Sequence, residues 1–375
     1  MASTCMLIVK TSEDGGTVIK MDVPKYEMVK NYVRHLLTDN IITFGDKLPS
    51  ENELTEKFQV SRQTVRQAFS ELSSEGYIYK EQGRGTFSKY KKKANQKQIV
   101  AVLTTYLSGF VFPGIIAGVE QVLSEEGYMM LLSNTNNTKK REAQYLENIL
   151  EHNVVGLIIE PTKSACENVN IKLLETLRDK GIKTVFINAC YDNFDSSYVL
   201  LDDIKGGYIA TEYLLQLGHR RIAGVFKADD KQGVNRENGY VSALKKYGAA
   251  ADPRFIGEYE TENMYDFPYM FAQSLLRTEN RPTAFFCYND QCALMVIQAI
   301  NDNGLRVPDD ISIVGYDDSI SIMQSDFKLT TISHPKEEMG RQAAKSMIDM
   351  LDGRIEKPQM TYKPELIVRN SSKNI

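Results

Sequence analysis

The sequence predicts an α/β protein in two parts, a small N-terminal winged helix-turn-helix and a larger, two-lobed body of doubly wound parallel sheets. Two observations predict this fold class. Within residues 49–87, two amphipathic helices with capping residues are followed by a glycine-tipped hairpin. From residue 99 onward, short apolar runs alternate with amphipathic helices in two successive series. Such runs are typical of strands that are buried on both faces between layers of helices.

The helices of the first part are defined by the residues at their ends. Ser50 and Glu53 form an S-x-x-E capping box, in which each side chain pairs with a backbone amide, so the second helix begins at Ser50. Ser61 can cap the next helix in the same way, and Gly76 supplies the left-handed residue that ends it. Apolar residues at helical spacing give the two helices a shared buried face: Leu54, Phe58, Val60, Val65, Phe69 and Leu72.

Burial of that face leaves a polar side near the N-terminus of the second of these helices, where a recognition helix presents side chains to the major groove of DNA. That side carries Arg62, Gln63 and Arg66. The hairpin has Arg84 at its tip between two glycines, which permit positive φ and close approach to a phosphate backbone. The alternative is an ordinary surface helix and hairpin with solvated charges. Because capping, turn and wing signals occur together and in order, we interpret residues 21–88 as a domain that binds double-stranded DNA.

The charge of the chain is divided unevenly between its parts. The whole chain carries −4. Residues 21–95 hold 13 Lys and Arg against 10 Asp and Glu, a net of +3, and residues 1–20 balance, which leaves −7 for residues 96–375. A small basic head on a larger acidic body suits docking to phosphates by one end only.

Two segments flank the head. Residues 1–20 form a leader of unknown role, and residues 89–98 are polar without apolar periodicity, which predicts a linker. In the alternative interpretation of that linker, its lysines contact the DNA backbone: Lys91, Lys92 and Lys93. The body then occupies residues 99–375.

Several classes of protein are disfavoured by the sequence. No run of 18 apolar residues occurs, which argues against a transmembrane helix, and the apolar run at 6–9 is too short for a secretory signal. The five cysteines form no C-x-x-C pair, which argues against a disulfide scaffold and structural zinc and fits a reducing cytoplasm. No G-x-x-x-x-G-K-[ST] loop occurs and the four histidines are scattered, so we expect no enzyme and no metal or cofactor site.

The body is predicted to contain two series of buried strands. They lie at 99–103, 129–132, 155–159 and 184–187, and then at 221–226, 255–258, 284–288 and 311–316. Two series indicate two lobes. Because ligands of open α/β sheets bind outside the carboxyl ends of the strands, the facing lobes should enclose a ligand-binding cleft.

Polar and aromatic residues gather where these strands end. Carboxylates, amides and one arginine suit a polyhydroxylated ligand, since each hydroxyl both donates and accepts and a guanidinium can fork two of them. We therefore expect a small sugar or similar polyol. The chain has no tryptophan, so the candidates for stacking on a sugar ring are Tyr106, Phe110 and Tyr191. A residue after a strand can instead cap the next helix, and Asp290 is open to that alternative. The candidate ligand contacts are Tyr106, Phe110, Asn134, Glu160, Asn188, Arg236, Asn289, Asp290 and Asp317.

Two family resemblances carry further expectations. The head resembles the GntR family of winged-helix regulators through LPSENEL (48–54), VSRQTVR (60–66), LSSEG (72–76) and GRGTF (83–87). The body resembles the LacI family effector domain, which shares the fold of periplasmic sugar-binding proteins, through GHRRIA (218–223), RENGY (236–240), NDQCAL (289–294), VPDDISIVGYDD (307–318) and LTTI (329–332). The pairing is similar to the AraR family of L-arabinose-responsive repressors, as are VLTTY (102–106), IEPTKS (159–164), LDDIKGG (201–207) and FKADDKQGV (226–234).

The resemblance implies a repressor with L-arabinose as effector and arabinose-utilisation promoters as targets. It also implies DNA contacts at Lys25, Arg66 and Gln82 and sugar contacts at Arg236 and Asp290. We expect a homodimer whose two heads bind a pseudo-palindromic operator and whose grip weakens when sugar closes the cleft. The same architecture sensing another sugar or a purine is the alternative, and a sugar-binding transport protein is a second. The candidate DNA contacts are Lys25, Ser50, Arg62, Gln63, Thr64, Arg66, Gln82, Gly83, Arg84 and Gly85.

Overall fold

The computed structural model divides the chain into two compact units, residues 1–96 and 97–375. Three candidate contacts, Gln82, Gly83 and Phe110, and most of the predicted linker lie outside the described residues. The structure describes residues 8–11, 17–20, 24–38, 41–81, 84–90, 98–109, 111–319 and 328–375.

The first unit contains a three-helix head with a hairpin. Its elements are the strands β1 (Ile8–Thr11) and β2 (Thr17–Lys20), the helices α1 (Lys25–Thr38), α2 (Glu51–Phe58) and α3 (Arg62–Ser74), and the strands β3 (Ile78–Glu81) and β4 (Gly85–Ser88). Both strand pairs are antiparallel. Three helices and the hairpin enclose one core of Val29, Val33, Leu37, Leu48, Leu54, Val65, Ala68, Phe69, Leu72 and Ile78.

The predicted helix ends are confirmed. Ser50 caps α2 with both halves of the capping box, since its hydroxyl accepts from the backbone N of Glu53 and its own backbone N donates to the Glu53 carboxylate. Ser61 caps α3 by accepting from the backbone N of Thr64. Gly76 has a φ of +81° directly after α3, the left-handed conformation expected there.

The second unit is built from alternating helices and strands. Its helices are α4 (Phe112–Glu125), α5 (Lys139–Glu151), α6 (Ile171–Asp179), α7 (Asp203–Gln216), α8 (Lys231–Lys246), α9 (Phe267–Leu276), α10 (Asp290–Asp302) and α11 (Lys336–Leu351). Its strands are β5 (Ile99–Thr104), β6 (Met129–Asn134), β7 (Val154–Ile159), β8 (Lys183–Ile187), β9 (Ser197–Leu201), β10 (Ile222–Lys227), β11 (Ile256–Tyr259), β12 (Ala284–Cys287), β13 (Ser312–Asp317), β14 (Thr330–Ser333), β15 (Gln359–Tyr362) and β16 (Leu366–Ile367).

These strands form two six-stranded sheets, one in each lobe. The first lobe has the order β15-β9-β8-β7-β5-β6 and is parallel throughout. The second has the order β11-β10-β12-β13-β14-β16, and only β16 is antiparallel to its neighbour. The eight strands expected from apolar runs are all present, whereas β9, β14, β15 and β16 were not predicted.

The chain crosses between the lobes three times. It passes from β9 to α7 at Asp202, from β14 to α11 at residues 334–335, and from β15 to β16 at residues 363–365. The first and third crossings are joined, because the backbone N of Asp202 donates to the carbonyl of Tyr362 at 3.0 Å. After the second crossing, α11 packs against α4 and the sheet of the first lobe. The simple division into an N-terminal and a C-terminal series is therefore incomplete, since the end of the chain returns to the first lobe.

The described part of the chain has three further features that bear on its class. None of its helices has the length and apolar character that crossing a membrane demands. Cys166, Cys190, Cys287 and Cys292 are free thiols. No group of three metal-ligating side chains occurs among these residues.

Candidate effector cavity and DNA-binding surface

A cavity of about 350 Å³ lies between the two lobes of the second unit. Loops at the carboxyl ends of the strands line it from both sides, with Thr105 following β5, Glu160 following β7 and Lys227 ending β10. Its volume falls at the lower end of the range of small-molecule sites, about 300–1,000 Å³. Six of the candidate ligand contacts line it: Tyr106, Glu160, Asn188, Arg236, Asn289 and Asp317.

Three other candidates lie elsewhere. Asn134, at the end of β6, is not among the residues around the cavity. Asp290 lies behind the cavity wall, buried at the start of α10, where Asn289 rather than Asp290 is the N-cap. The hydroxyl of Tyr191 donates to the buried Glu142 carboxylate at 2.8 Å, so this ring is used for internal structure and does not face the cavity.

Arg236 is one of the two buried cations that line the cavity among the described residues. From α8, its Nε donates to Oδ1 of Asp203 at 2.8 Å and its Nη1 donates to the carbonyl of Tyr288 at 2.6 Å. Its Nη2 lies 3.6 Å from Oδ1 of Asp317, and its guanidinium lies 3.5 Å from the ring centroid of Tyr316. Burial alone would lower the Arg236 pKa, but the two carboxylates outweigh it and raise the pKa above its ordinary value. The guanidinium therefore stays charged and fixed in direction.

Close helix packing places this group. A Cβ at Gly207 of α7 would come within 2.1 Å of the Arg236 carbonyl, so α7 and α8 can approach only because residue 207 has no side chain. That approach brings Asp203, in the first turn of α7, against Arg236. Asp203 was not predicted as a site residue because the strand that precedes it was not recognised.

Glu160 is the central acceptor of the first lobe. Its carboxylate accepts from the backbone N and the hydroxyl of Thr105, from Nδ2 of Asn188 at 2.9 Å and from Nε2 of Gln232 at 3.3 Å. Burial raises its pKa to about 7, against the lowering effect of the Thr105 and Asn188 hydrogen bonds. Because Gln232 belongs to α8, Glu160 also joins the two lobes inside the cavity.

His334 continues this network at the second crossing. Asn188 uses its Nδ2 on Glu160, so its Oδ1 accepts, and Nε2 of His334 lies 3.2 Å from that oxygen. Burial, together with the cations Lys336 and Arg236, lowers the His334 pKa to about 3. The ring is therefore neutral and carries its proton on Nε2. Neither His334 nor Gln232 had been predicted as a site residue.

Lys227 is the second cation of the cavity. Its Nζ donates to Asp229 at 2.5 Å, to Asp230 at 2.7 Å and to the hydroxyl of Thr261 at 2.9 Å. Burial would lower its pKa, but Asp230 and Asp229 outweigh burial and raise it. The cluster was visible in the sequence as polar residues at a strand end, yet Lys227 and Asp230 were not among the predicted contacts.

Polar contacts at the edge of the cavity and beyond it also join the lobes, and we call them the rim contacts. Asn137 of the first lobe donates to Asp230 at 3.1 Å and to Thr261 at 2.7 Å. The rim also includes two ion pairs, Lys163 with Glu262 at 2.7 Å and Lys231 with Asp192 at 2.6 Å. The lobes are thus closed over the cavity.

The charges of the cavity limit what it can hold. Around it lie four carboxylates, Glu160, Asp203, Asp230 and Asp317, and two cations, Lys227 and Arg236. Even when Glu160 is protonated, three acidic groups face two cations among the described residues, which disfavours an anionic ligand, whereas donors and acceptors on both lobes suit neutral hydroxyls.

The head presents its candidate DNA contacts on the surface of α3. Arg62, Gln63 and Arg66 are exposed. The Arg66 side chain is 65% exposed and its Nε donates to Glu51 at 2.8 Å, while Lys80 of the hairpin lies 3.3 Å from the other oxygen of Glu51. The hydrogen bond from Arg66 holds the Glu51 pKa below its usual value, so the carboxylate stays ionised and orients both cations.

The remaining candidates of the head have varied environments. Lys25 is exposed at the first residue of α1. Ser50 is occupied as the N-cap of α2, and the Thr64 hydroxyl lies 2.9 Å from that of Ser61. In the hairpin, Arg84 is exposed and pairs with Glu81 at 2.6 Å, and Gly85 has a φ of +124°.

Comparison with known proteins agrees with this division. Residues 25–87 match the family described as bacterial regulatory proteins, gntR family, and residues 211–372 match the periplasmic binding protein-like domain. The chain is 44% identical to the arabinose metabolism transcriptional repressor of Geobacillus stearothermophilus, over 94% of this chain and 99% of the relative. It is 41% identical to the protein of the same name from Halalkalibacterium halodurans, over 93% of this chain and 96% of the relative. The crystal structure of a LacI family transcriptional regulator from Enterococcus faecium with bound ribose is 27% identical, with a TM-score of 0.65, over 74% of this chain and 100% of that chain.

A GntR-type winged helix-turn-helix joined to a body of the periplasmic-binding-protein type defines a DNA-binding transcriptional regulator with an effector domain. The chain belongs to the family of arabinose metabolism transcriptional repressors. It is accordingly a transcriptional repressor and not an enzyme.

Proposed function

We propose that this repressor binds L-arabinose in the cavity between its lobes and that binding releases it from the operators of arabinose-utilisation genes. It acts in the cytoplasm as a homodimer, which places two heads on two half-sites of a pseudo-palindromic operator. The names of its relatives support arabinose metabolism as the regulated process. The effector identity and the direction of control are the proposal.

The arrangement of Arg236 and Glu160 carries the proposal. Arg236, flanked by Asp203 and Asp317, offers a fixed donor beside acceptors in the second lobe. Glu160 offers an acceptor in the first lobe, where a sugar hydroxyl can take the place of Gln232, whose Nε2 donates to it at 3.3 Å. A compact neutral polyol can use both, because every hydroxyl donates and accepts at once.

Sugar binding stabilises the closed body through the same groups. A ligand that contacts Glu160 in one lobe and Arg236 in the other adds to the rim contacts and favours a fixed lobe arrangement. The head then no longer fits both half-sites. A coupling of about 1–3 kcal/mol, the usual size, weakens DNA binding roughly 5- to 150-fold, and DNA weakens sugar binding by the same factor.

DNA recognition is assigned to the exposed face of α3 and to the hairpin. Glu51 engages the Nε of Arg66, which leaves the terminal guanidinium nitrogens to fork a guanine edge or a phosphate. Arg62 and Gln63 read or grip the same groove, and Lys25 and Arg84 contact the phosphate backbone. Gln82, Gly83 and Gly85 complete the wing.

A binding panel tests the effector. The full chain is titrated calorimetrically with L-arabinose, D-xylose, D-ribose, D-galactose and adenine, and its melting temperature is followed in parallel. Only a ligand of the folded body raises that temperature. At a concentration of 100 Kd such a ligand adds about 2.7 kcal/mol to the free energy of unfolding. We expect L-arabinose to give the tightest binding and to raise the dissociation constant for promoter DNA. A flat L-arabinose trace beside a clear response to another compound refutes this effector.

The variant Arg236→Ala supplies the site-specific arm. We expect it to abolish the sugar response and leave the DNA dissociation constant in the absence of sugar unchanged. Arg254→Ala is the matched control, because Arg254 lies in the same lobe, has an 80% exposed side chain and pairs only with Asp252 among described residues. Equal responses from Arg236→Ala and the wild type place the sugar elsewhere.

A further inference from the structure

Asp290 is enclosed by donors just behind the cavity wall. Its side chain is buried at the first residue of α10. One carboxylate oxygen accepts from the backbone N of Ser319 at 2.7 Å and from the Ser319 hydroxyl at 2.9 Å, and the other accepts from the Thr331 hydroxyl at 2.7 Å. One carboxylate thus joins α10 to β14 and to the turn that follows β13.

That turn has an unusual backbone. Asp317 and Asp318 have φ values of +96° and +49°, a region that residues with side chains adopt rarely. Such a conformation persists only where surrounding contacts hold it, and it often marks a functional site. Asp317 is the residue whose carboxylate lines the cavity and lies 3.6 Å from Arg236.

Asp290 holds both residues that follow Asp317. It binds Ser319 directly. It reaches Asp318 through Thr331. The Thr331 hydroxyl donates a hydrogen bond to Asp290, and the same oxygen accepts one from the backbone N of Asp318 at 3.3 Å. The place for the carboxylate exists only because residue 315 is glycine, since a Cβ on Gly315 would lie 2.3 Å from Asp290 Oδ1.

Other contacts hold the opposite side of the same turn. Lys336 donates to the carbonyl oxygens of Asp317 and, at 3.0 Å, of Asp318, and Arg369 donates to the Asp318 carboxylate at 2.6 Å. These contacts act on carbonyl and carboxylate oxygens, whereas Asp290 acts on the backbone N–H side. Without Asp290, the peptide groups of residues 318 and 319 can therefore rotate, while Lys336 and Arg369 still hold the turn.

We propose that Asp290 is a positioning residue of the effector site, which fixes the left-handed turn at 317–319 and so sets the spacing between the Asp317 carboxylate and Arg236. This inference rests on the proposed function, because it takes Asp317 and Arg236 to be the groups that bind the sugar. A pair of neighbouring hydroxyls that binds both groups needs their spacing held to a fraction of an ångström. Asp290 contributes to affinity without touching the ligand.

A double-mutant cycle in the full chain tests the proposal. L-Arabinose is titrated calorimetrically into the wild type, Asp290→Asn, Asp317→Asn and the double variant. We expect Asp290→Asn to raise Kd about tenfold, as for loss of one buried hydrogen bond. In the Asp317→Asn background the same change should have no further effect, because Asp290 acts through Asp317. Asp302→Asn, on the same helix but exposed, is the matched control and should keep the wild-type Kd.

The outcomes separate this inference from the proposed function. Wild-type Kd in Asp290→Asn, or equal fold-changes in both backgrounds, overturns the positioning role and leaves L-arabinose as effector. Failure of the wild type to bind any compound of the panel refutes the proposed function and this inference together. If Asp290→Asn does not fold, Thr331→Val cuts the route to Asp318 alone. We expect it to raise Kd several-fold, again with no further effect beside Asp317→Asn, and an unchanged Kd refutes the proposal.

Discussion

The buried carboxylate of Glu160 makes the stability of the body depend on pH. Among the described residues, its four hydrogen-bond donors are neutral groups, the backbone N and hydroxyl of Thr105 and the amides of Asn188 and Gln232. With only neutral partners, burial dominates and raises its pKa from 4.5 to about 7. Glu160→Gln removes this titration and keeps the size of the side chain. The amides of Asn188 and Gln232 can flip to present oxygens to the new amide. The His334 proton then moves to Nδ1, so that Nε2 accepts from Asn188, and the variant should fold.

The size and sign of the effect follow from the two pKa values. Between pH 4.5 and 7 the folded chain holds a proton on Glu160 that the unfolded chain has lost. The free energy of unfolding therefore decreases as pH rises through this window, and the stabilisation is complete only below pH 4.5. A difference of about 2.5 pKa units corresponds to about 3 kcal/mol, with no reduction for solvent screening because the group is fully buried. In Glu160→Gln the free energy of unfolding should no longer decrease in this way as pH rises.

The assay compares wild type and variant at each pH. Unfolding of the full chain in urea is followed by circular dichroism at pH 5, 6, 7 and 8, since the chain has no tryptophan to report by fluorescence. Asp290 contributes a decrease of the same sign, because burial raises its pKa to about 7 as well. His334 contributes the opposite sign, since its pKa is lowered to about 3 and stability is lost as pH falls below 6.5. Both remain in the variant and cancel in the difference.

We expect the stability of Glu160→Gln relative to wild type to increase by about 2.5 kcal/mol from pH 5 to pH 8, because part of the full difference appears only below pH 5. Glu167→Gln, an exposed residue a few positions along the chain, is the control and should parallel the wild type. Parallel wild-type and Glu160→Gln curves would show that Glu160 titrates normally, and the argument from burial would be wrong.

Two further expectations concern the head and the rim. Arg66→Ala should cost about 1–3 kcal/mol of discrimination between operator and mismatched DNA and leave the sugar Kd unchanged. Arg34 pairs with Glu75 just after α3 and serves as the comparison. Arg34→Ala should weaken binding to operator and to mismatched DNA slightly and by the same factor. Equal loss in both variants, measured by fluorescence anisotropy, would reduce Arg66 to a general phosphate contact. Lys163→Glu should raise the L-arabinose Kd several-fold by repulsion across the rim, and Glu262→Lys should restore it in part. Calorimetry that finds no restoration argues against closure of the lobes through this pair.

Features set by local sequence were predictable. The capping box of Ser50 and the cap of Ser61 depend on residues three positions apart, so they appear in the sequence as they do in the structure. The long apolar strands were equally clear, because burial on both faces leaves a continuous run. By contrast, β9 alternates buried and half-buried residues, and β15 is largely exposed at a sheet edge, so neither has that pattern.

Features set by chain crossings were not predictable. Asp203 and His334 line the cavity because the chain passes between the lobes beside them, and no local sequence pattern indicates where a chain crosses between lobes. The pair Asn289 and Asp290 shows a second limit. Both follow the same strand, yet Asn289 lines the cavity and Asp290 turns inward to Ser319 and Thr331, a difference in direction set by partners distant in sequence.

The position of the cavity determines which ligands can act as effectors. In the proposed mechanism the lobes rotate about the crossings. Such a rotation would break the rim contacts, whereas Asp203 and His334, which lie at crossings, would move little. A ligand can shift an equilibrium only by its difference in affinity for the two states. Binding that engages Asp203 and Arg236 alone is therefore nearly equal in open and closed bodies and leaves DNA affinity unchanged. Under the proposed function, we expect a hydroxyl that also reaches Glu160 to bind the closed body better, so that contact with Glu160, rather than affinity alone, makes a sugar an effector.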